Sequence, residues 1–317
     1  DGLKVFTPDD PNSVEVWEAP VKLLAIKPQQ LGSIQKTANQ FKIKTFVACG
    51  RISEWFGNKY SFYHKTFRKF IHHNYTHFLI QRMLPRYNGI IVHTDKAQKH
   101  AIKNNYKNRI IKLPFSLFKE NRYLSHKISN KLKFCVTGGI KEQSRDHMGT
   151  LKQFNKVWES GFKNFSLLIL AYPRDGYGKQ VINYSQKLIN KGIDIKYFNN
   201  WISEGEYDYE AANSDIFISP IFYKTYYNCG ELTSGIVESI RHAKPVIFPK
   251  GYSAASEIYS SSIFYEDMSK LSDVIIELLS NSKLVSKLKE NAISNSKLYS
   301  LKSMSDNFNI QKIDNSQ

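Results

Sequence analysis

Short apolar runs alternate with helical patterns through the second half of the sequence. The runs occupy Lys133–Thr137, Ser166–Ala171, Asp194–Phe198, Ile216–Pro220 and Pro245–Phe248. Between the first two runs, apolar residues recur at helical spacing from Met148 to Trp158, and the pattern stops at Gly161. Strand, helix and strand in this rhythm predict right-handed βαβ units and a doubly wound parallel sheet. The sequence therefore predicts an α/β domain of the Rossmann-like type over residues 131–298.

The first half carries a less regular version of the same alternation. Candidate strands are 21–26, 44–48, 89–93 and 109–113, and candidate helices lie near 33–41, 59–83 and 95–104. They predict a second Rossmann-like domain over 1–115. A polar, Lys-rich linker follows at 116–130. We expect the remaining segment, 299–317, to cross back to the first domain.

Positive charge is concentrated in one stretch of the chain. The formal net charge is +17, and residues 59–131 hold sixteen Lys or Arg against two acidic residues, or +14. Such a region attracts an anionic membrane leaflet, a polyanionic acceptor or nucleic acid. Aromatic residues interleave with basic ones over 59–73, which favours the membrane, while a solvated basic helix face is the alternative. Nucleic acid is disfavoured because no nucleic-acid-binding motif accompanies the charge.

The sequence offers little that would hold a metal. It contains no Asp-x-Asp and no Cys-x-x-Cys, and its His-x-x-x-His, from His73 to His77, lies in a basic aromatic stretch where histidines are more often surface or packing residues, so we expect no metal site. The three cysteines, Cys49, Cys135 and Cys229, are odd in number and far apart. This pattern indicates reduced thiols in a cytoplasmic protein. The sequence also has no run of eighteen apolar residues, and it does not begin with Met, so we expect that the native N-terminus is missing.

Two glutamates flank a predicted helix start late in the chain. Ser234-Gly235 is expected to open a helix whose free N–H groups and positive dipole end suit a phosphate. Glu238, one turn further on, can accept hydrogen bonds from a ribose diol, and Glu231 can hold sugar hydroxyls. The alternative is a helix that exposes a glutamate on its outer face.

The stretch Gly235–Ile247 resembles the second half of the donor motif of retaining glycosyltransferases, specifically family four of the glycosyltransferase B fold. The first half departs from it, because six residues instead of seven separate Glu231 from Glu238. The resemblance implies a sugar-contacting, catalytic role for Glu231. It also implies that Thr233, Ser234, Gly235 and Glu238 bind the donor.

The segment Thr137–Met148 is similar to the phosphate-binding segment of that family. Arg145 falls on the family's lysine, which implies a catalytic role in stabilising the diphosphate, and Gly138 and Gly139 let backbone approach the donor. The resemblance places the nucleotide base near Trp201 or Ile202, although Trp201 can equally be buried core. It also makes Lys224 a second candidate for the diphosphate.

The resemblance implies two Rossmann-like domains facing a cleft, with the N-terminal domain reduced or truncated. It implies a hexosyltransferase that moves a sugar, with retention and without a metal, from a nucleotide diphosphate-sugar such as a UDP-sugar. The acceptor would be a glycan, a lipid-linked molecule or a protein. We expect no cofactor and a cytoplasmic enzyme that attaches peripherally to the inner membrane face. Two alternatives stay open: a catalytically silent partner subunit, and a sugar-nucleotide epimerase of the same fold.

Overall fold

The structure is a computed structural model that describes residues 15–18, 45–49, 56, 82, 84–112, 116–118, 131–222, 232–252 and 258–303. The chain divides into two compact units, the first reaching Leu113 and the second beginning at Pro114. The strand predicted at 21–26 and the helix predicted at 33–41 lie outside the described residues. The helix predicted at 59–83 is described only at Arg82, which is helical.

A parallel sheet of four described strands forms the first unit. The strands follow one another in chain order: β1 (Glu15–Glu18), β2 (Thr45–Ala48), β3 (Gly89–Val92) and β4 (Arg109–Lys112). Helix α1 (Asp95–Lys103) connects β3 to β4, and the Thr94 hydroxyl caps it by accepting from the Ala97 N–H at 3.1 Å. Strands β2, β3 and β4 and helix α1 agree with the sequence prediction, whereas β1 was not predicted.

The second unit is built on a parallel sheet in which six strands are described. They are β5 (Leu132–Thr137), β6 (Phe165–Leu170), β7 (Ile195–Lys196), β8 (Ile216–Ile218), β9 (Val246–Pro249) and β10 (Ser262–Tyr265). Their order is β7-β6-β5-β8-β9-β10, so the winding reverses between β5 and β8. In sheets of this kind, ligands bind beyond the carboxyl ends of the strands at the point of reversal.

Helices connect these strands and cover both faces of the sheet. They are α2 (His147–Glu159), α3 (Gly176–Asn190), α4 (Glu204–Ala212), α5 (Ser234–His242), α6 (Leu271–Ser280) and α7 (Ser282–Lys297). Ser203 caps α4, because its hydroxyl accepts from the Glu206 N–H at 3.2 Å. A side-chain N-cap of this kind stabilises a helix by about 1 kcal/mol.

Side-chain alternation along the strands assigns each helix to a face. Phe134 and Val136 of β5 join a buried cluster with α2, α3, α6 and α7, while Cys135 joins a second cluster with α4 and α5. Successive residues of a strand point to opposite faces, so a strand covered on both sides is apolar throughout. Cys135 is therefore core, and burial raises the pKa of its thiol.

Two edge strands differ from the sequence prediction. The strand expected at 194–198 is reduced to Ile195–Lys196, which pairs only with β6 among the described strands. Strand β10, at the opposite edge, was not predicted at all. Beyond α7, the Phe118 N–H donates to the Tyr299 carbonyl at 3.1 Å, and residues 304–317 of the segment expected to cross back lie outside the described residues. Within the described ranges, no helix has both the length and the apolar character needed to span a membrane.

Candidate functional site

Two loops meet beyond the carboxyl ends of β5 and β8, where the winding of the sheet reverses. The Asp146 N–H donates to the Pro220 carbonyl at 2.8 Å, and the Phe222 N–H donates to the Ser144 carbonyl at 3.1 Å. An antiparallel bridge between Arg145 and Ile221 lies between these bonds. The loop after β5 is thus fastened to the loop after β8, which fixes the position of Arg145.

Gly138 allows Arg145 to reach the start of helix α5. Its φ is +87°, a left-handed conformation that favours glycine, and a Cβ there would lie 2.4 Å from Ser234 Oγ and 2.6 Å from Arg145 Cζ. In that space, Arg145 Nη2 approaches Ser234 Oγ at 3.3 Å. Gly139 differs, because nothing lies within 4 Å of its added Cβ.

The start of α5 is held close to the sheet and carries no negative charge. A Cβ on Gly235 would lie 2.6 Å from Ser219 Cβ, so glycine permits this approach. The neutral hydroxyl of Thr233 caps the helix through the Ile236 N–H at 3.4 Å. The N–H groups of Ser234 and Gly235 have no acceptor within the helix and carry the positive end of its dipole. Helices α2 and α3, by contrast, are capped by the carboxylates of Asp146 and Asp175.

Several buried polar atoms around this point have no hydrogen-bond partner among the described residues. They are Thr137 Oγ1, Ser144 Oγ, Arg145 Nε and Ser219 Oγ. Buried polar groups are nearly always hydrogen-bonded, because leaving one unpaired costs about 1–3 kcal/mol. Hydroxyls and a guanidinium beside a helix N-terminus are the donors that an anionic, oxygen-rich ligand such as phosphate requires. The arrangement is suited to such a ligand.

His147, which the sequence analysis did not single out, lies buried next to Arg145. Burial is the main reason that its pKa falls to about 3, and the charge of Arg145 lowers the pKa further. The backbone carbonyls of Gly138 and Arg145 favour the protonated ring but do not offset these effects. His147 is therefore neutral near pH 7.

Glu238 is buried, so the alternative of a glutamate exposed on the outer face of the helix is wrong. The residue is 7 % exposed, and its Oε2 lies 3.2 Å from His242 Nε2. On the facing helix α4, burial and then the Glu238 carboxylate raise the pKa of Tyr207. Glu238 thus occupies a polar position between α4 and α5.

The structure describes some of the other predicted site residues and leaves others outside the described ranges. Trp201 is 69 % exposed, which rules out the alternative that it is buried core, and the next residue, Ile202, is buried. Both lie on the loop between β7 and α4. Glu231 and Lys224 lie outside the described residues. In the part of the chain that the structure covers, no group of three His, Cys, Asp or Glu side chains could hold a metal ion.

The comparisons with known proteins concern the fold. The sequence matches no protein-family model and no curated protein sequence. Among solved structures, TarM aligns over 96 % of this chain and 55 % of its own, with a TM-score of 0.65 and 13 % identity. HepE from Anabaena, solved in complex with UDP, aligns over 93 % of this chain and 78 % of its own, with a TM-score of 0.61 and 11 % identity.

A further similar structure is WaaG, described as a glycosyltransferase involved in lipopolysaccharide biosynthesis. It covers 87 % of this chain and 80 % of its own, with a TM-score of 0.58 and 15 % identity. The chain has the glycosyltransferase B fold. The fold predicted from the sequence is confirmed, while identities this low carry no activity or substrate from those proteins to this one. The chain also spans little more than half the length of TarM.

Proposed function

We propose that this chain is a glycosyltransferase that binds a nucleotide diphosphate-sugar at the carboxyl end of the second sheet. The observation that carries the proposal is the contact of Arg145 with Ser234 over Gly138, at the neutral-capped start of α5. A cation, a hydroxyl and free helix N–H groups converge there on one point. That point lies where the sheet winding reverses, the usual ligand position in this architecture. The similarity in fold to UDP-bound HepE supports a UDP-sugar as the first donor to test.

The diphosphate would lie against Arg145, with its oxygens accepting from Ser234 and Gly235. As the bond between the sugar C1 and the diphosphate breaks, negative charge develops on the departing oxygen. Fixed donors and a helix dipole directed at that oxygen lower the barrier, because they need no rearrangement during the reaction. We propose that Thr233 acts through the cap that holds this helix start in place. Gly139 would leave open space for the donor, because nothing lies within 4 Å of its added Cβ.

The rest of the donor would extend towards α4. We propose that Glu238 accepts from the ribose diol, that Trp201 or Ile202 packs against the base, and that Glu231 holds the sugar hydroxyls. Lys224 would be a second partner of the diphosphate. The exposed indole of Trp201 and the buried carboxylate of Glu238 supply the chemistry for the first two roles.

We propose that transfer proceeds with retention and without a metal. The acceptor oxygen would bond to C1 on the face that the diphosphate leaves, and the departing phosphate oxygen would take the acceptor's proton. Arg145 and the start of α5 would supply the positive charge that a divalent cation supplies in other transferases. The acceptor would be a glycan, a lipid-linked molecule or a protein.

We also propose that the first unit docks on an anionic leaflet and that the enzyme acts in the cytoplasm at the inner membrane face. Residues 82–112 contain eight Lys or Arg and one acidic residue, Asp95. Lys99, Lys103 and Lys107 are exposed on or just after α1, and Ile102 between them is 57 % exposed. Basic side chains around an exposed apolar one favour a lipid headgroup layer over plain solvation.

Thermal unfolding with UDP, GDP, ADP and CMP tests the proposal. A ligand that binds only the folded state stabilises it by RT ln(1 + [L]/Kd), or about 2.7 kcal/mol at a hundred times Kd. We expect one diphosphate to raise the midpoint in the parent chain and to do much less in Arg145→Ala. No shift with any nucleotide would contradict a donor site. If the chain is incubated with a nucleotide-sugar, epimerised donor among the products would favour the epimerase alternative.

A further inference from the structure

We propose that His242 is a positioning residue for Glu238, fixing the carboxylate that accepts from the nucleotide's ribose. The inference rests on the proposed donor site and adds a residue that the sequence analysis did not assign. His242 lies four residues after Glu238, on the last turn of α5. Residues at this spacing share one face of a helix, so the two side chains can meet directly.

The distances favour Glu238 as the partner of the His242 ring. His242 Nε2 lies 3.2 Å from Glu238 Oε2 and 3.8 Å from Asp208 Oδ1. Asp208 already has a closer cation, because Arg241 Nη2 lies 3.0 Å from its Oδ2. The guanidinium of Arg241 also reaches Glu204 at 3.3 Å. Asp208 and Glu204 are thus held by Arg241, which leaves His242 to Glu238.

Packing restricts the orientation of both side chains. The His242 side chain is almost fully buried, and its ring meets the edge of Phe217 at a centroid distance of 6.2 Å and an angle of 85°. The Glu238 side chain is also buried, and Tyr207 approaches it from α4. A buried carboxylate without a partner is strongly destabilising. Neither Glu238 Oε2 nor His242 Nε2 has a hydrogen-bond partner among the described residues, so a ring that turns to donate from Nε2 would satisfy both atoms.

A double-mutant cycle tests this role, with UDP affinity measured by calorimetry on the full chain. His242→Phe keeps a ring but removes the donor, and His242→Gln retains an N–H near the same place. We expect His242→Phe to weaken UDP binding about tenfold, the loss typical of one hydrogen bond to a charged group. His242→Gln should restore most of the affinity. In a Glu238→Gln background, His242→Phe should have no further effect on UDP affinity, because its partner is already altered.

A matched control addresses general disturbance of the α4–α5 contact. Arg241→Met breaks the pairs with Asp208 and Glu204 but leaves the Glu238–His242 contact in place, so it should lower the unfolding midpoint without changing UDP affinity. The positioning role would be overturned if His242→Phe weakened UDP binding equally in the parent chain and in Glu238→Gln, or in neither. Absence of nucleotide binding by the parent chain would overturn the donor site itself. UDP binding that His242→Phe leaves unchanged would overturn only this inference.

Discussion

Arg145 Nη2 lies 3.3 Å from Ser234 Oγ, although the two residues are 89 positions apart in the sequence. One residue ends the loop after the first strand of the second unit, and the other opens helix α5. Gly138, which has a positive φ and no Cβ, lets the backbone of that loop lie close to both side chains. The contact brings a cation to the helix end that carries partial positive charge, an arrangement that an intervening anion stabilises.

Replacing Gly138 by alanine should disrupt this arrangement. The new methyl group would lie within 2.6 Å of Arg145 and Ser234, and the left-handed backbone alone destabilises alanine by about 1–2 kcal/mol. We expect Gly138→Ala to lower the free energy of unfolding and to abolish most nucleotide binding. Gly161→Ala, beyond the end of α2, is the control, because its φ is also positive, at +92°, but its methyl group meets nothing within 4 Å. Equal nucleotide affinity for the two variants in calorimetry would show that the Gly138 turn does not form the site.

Turnover should not require a divalent metal, because Arg145 and the helix start would stabilise the leaving diphosphate. We expect donor consumption to persist in EDTA. Arg145→Ala should lose about tenfold to a hundredfold of the rate, the equivalent of a charge-assisted hydrogen bond worth roughly 1.5–3 kcal/mol. Circular dichroism would check that the variant stays folded. Activity that EDTA abolishes and Mg²⁺ or Mn²⁺ restores would disprove metal independence.

His147 should make the fold sensitive to acid. Its pKa is about 3 in the folded chain and near the ordinary 6.5 when unfolded, so between these values the unfolded chain binds the extra proton. Stability therefore falls as pH falls from about 6.5 to 3, by about 1.4 kcal/mol per unit of pKa difference. In denaturant unfolding, the free energy of unfolding of His147→Gln should fall less steeply with pH over this range than that of the parent chain. Above pH 7 the two should change with pH alike. Identical slopes below pH 6.5 would contradict the buried, neutral ring.

The sequence predicted the elements whose pattern is local. β5, β8 and β9 are covered on both faces and read as continuous apolar runs, and Ser234 opens a helix as expected. β1 and β10 were missed, because the pairing of a short edge strand depends on its neighbour more than on its own residues.

Within the site, Gly138, Arg145 and Ser234 were predicted and the structure brings them together. His147 was missed, since nothing in the local sequence pattern indicates that this residue is buried beside Arg145. His242 was also missed, although its spacing of four residues from Glu238 was a usable signal.

Charge reversal on the first unit tests membrane attachment. We expect Lys99→Glu, Lys103→Glu and Lys107→Glu together to reduce binding to vesicles with anionic lipid, since each basic residue contributes about 1 kcal/mol near such a surface. The matched control is Lys152→Glu, Lys156→Glu and Lys187→Glu, which changes net charge equally on exposed positions of the second unit. Cosedimentation measures binding, and rising salt should weaken it. Equal losses in both triple variants would mean that net charge matters and the α1 surface does not.

Release of nucleoside diphosphate from a nucleotide-sugar without acceptor is the most direct test of the glycosyltransferase assignment. A chain that binds the donor and polarises its leaving group should hydrolyse it slowly. We expect release from UDP-glucose, UDP-N-acetylglucosamine or another donor whose nucleotide stabilises the fold. Arg145→Ala should be about tenfold to a hundredfold slower. Tight nucleotide binding with no release from any donor would contradict the assignment and favour a catalytically silent partner.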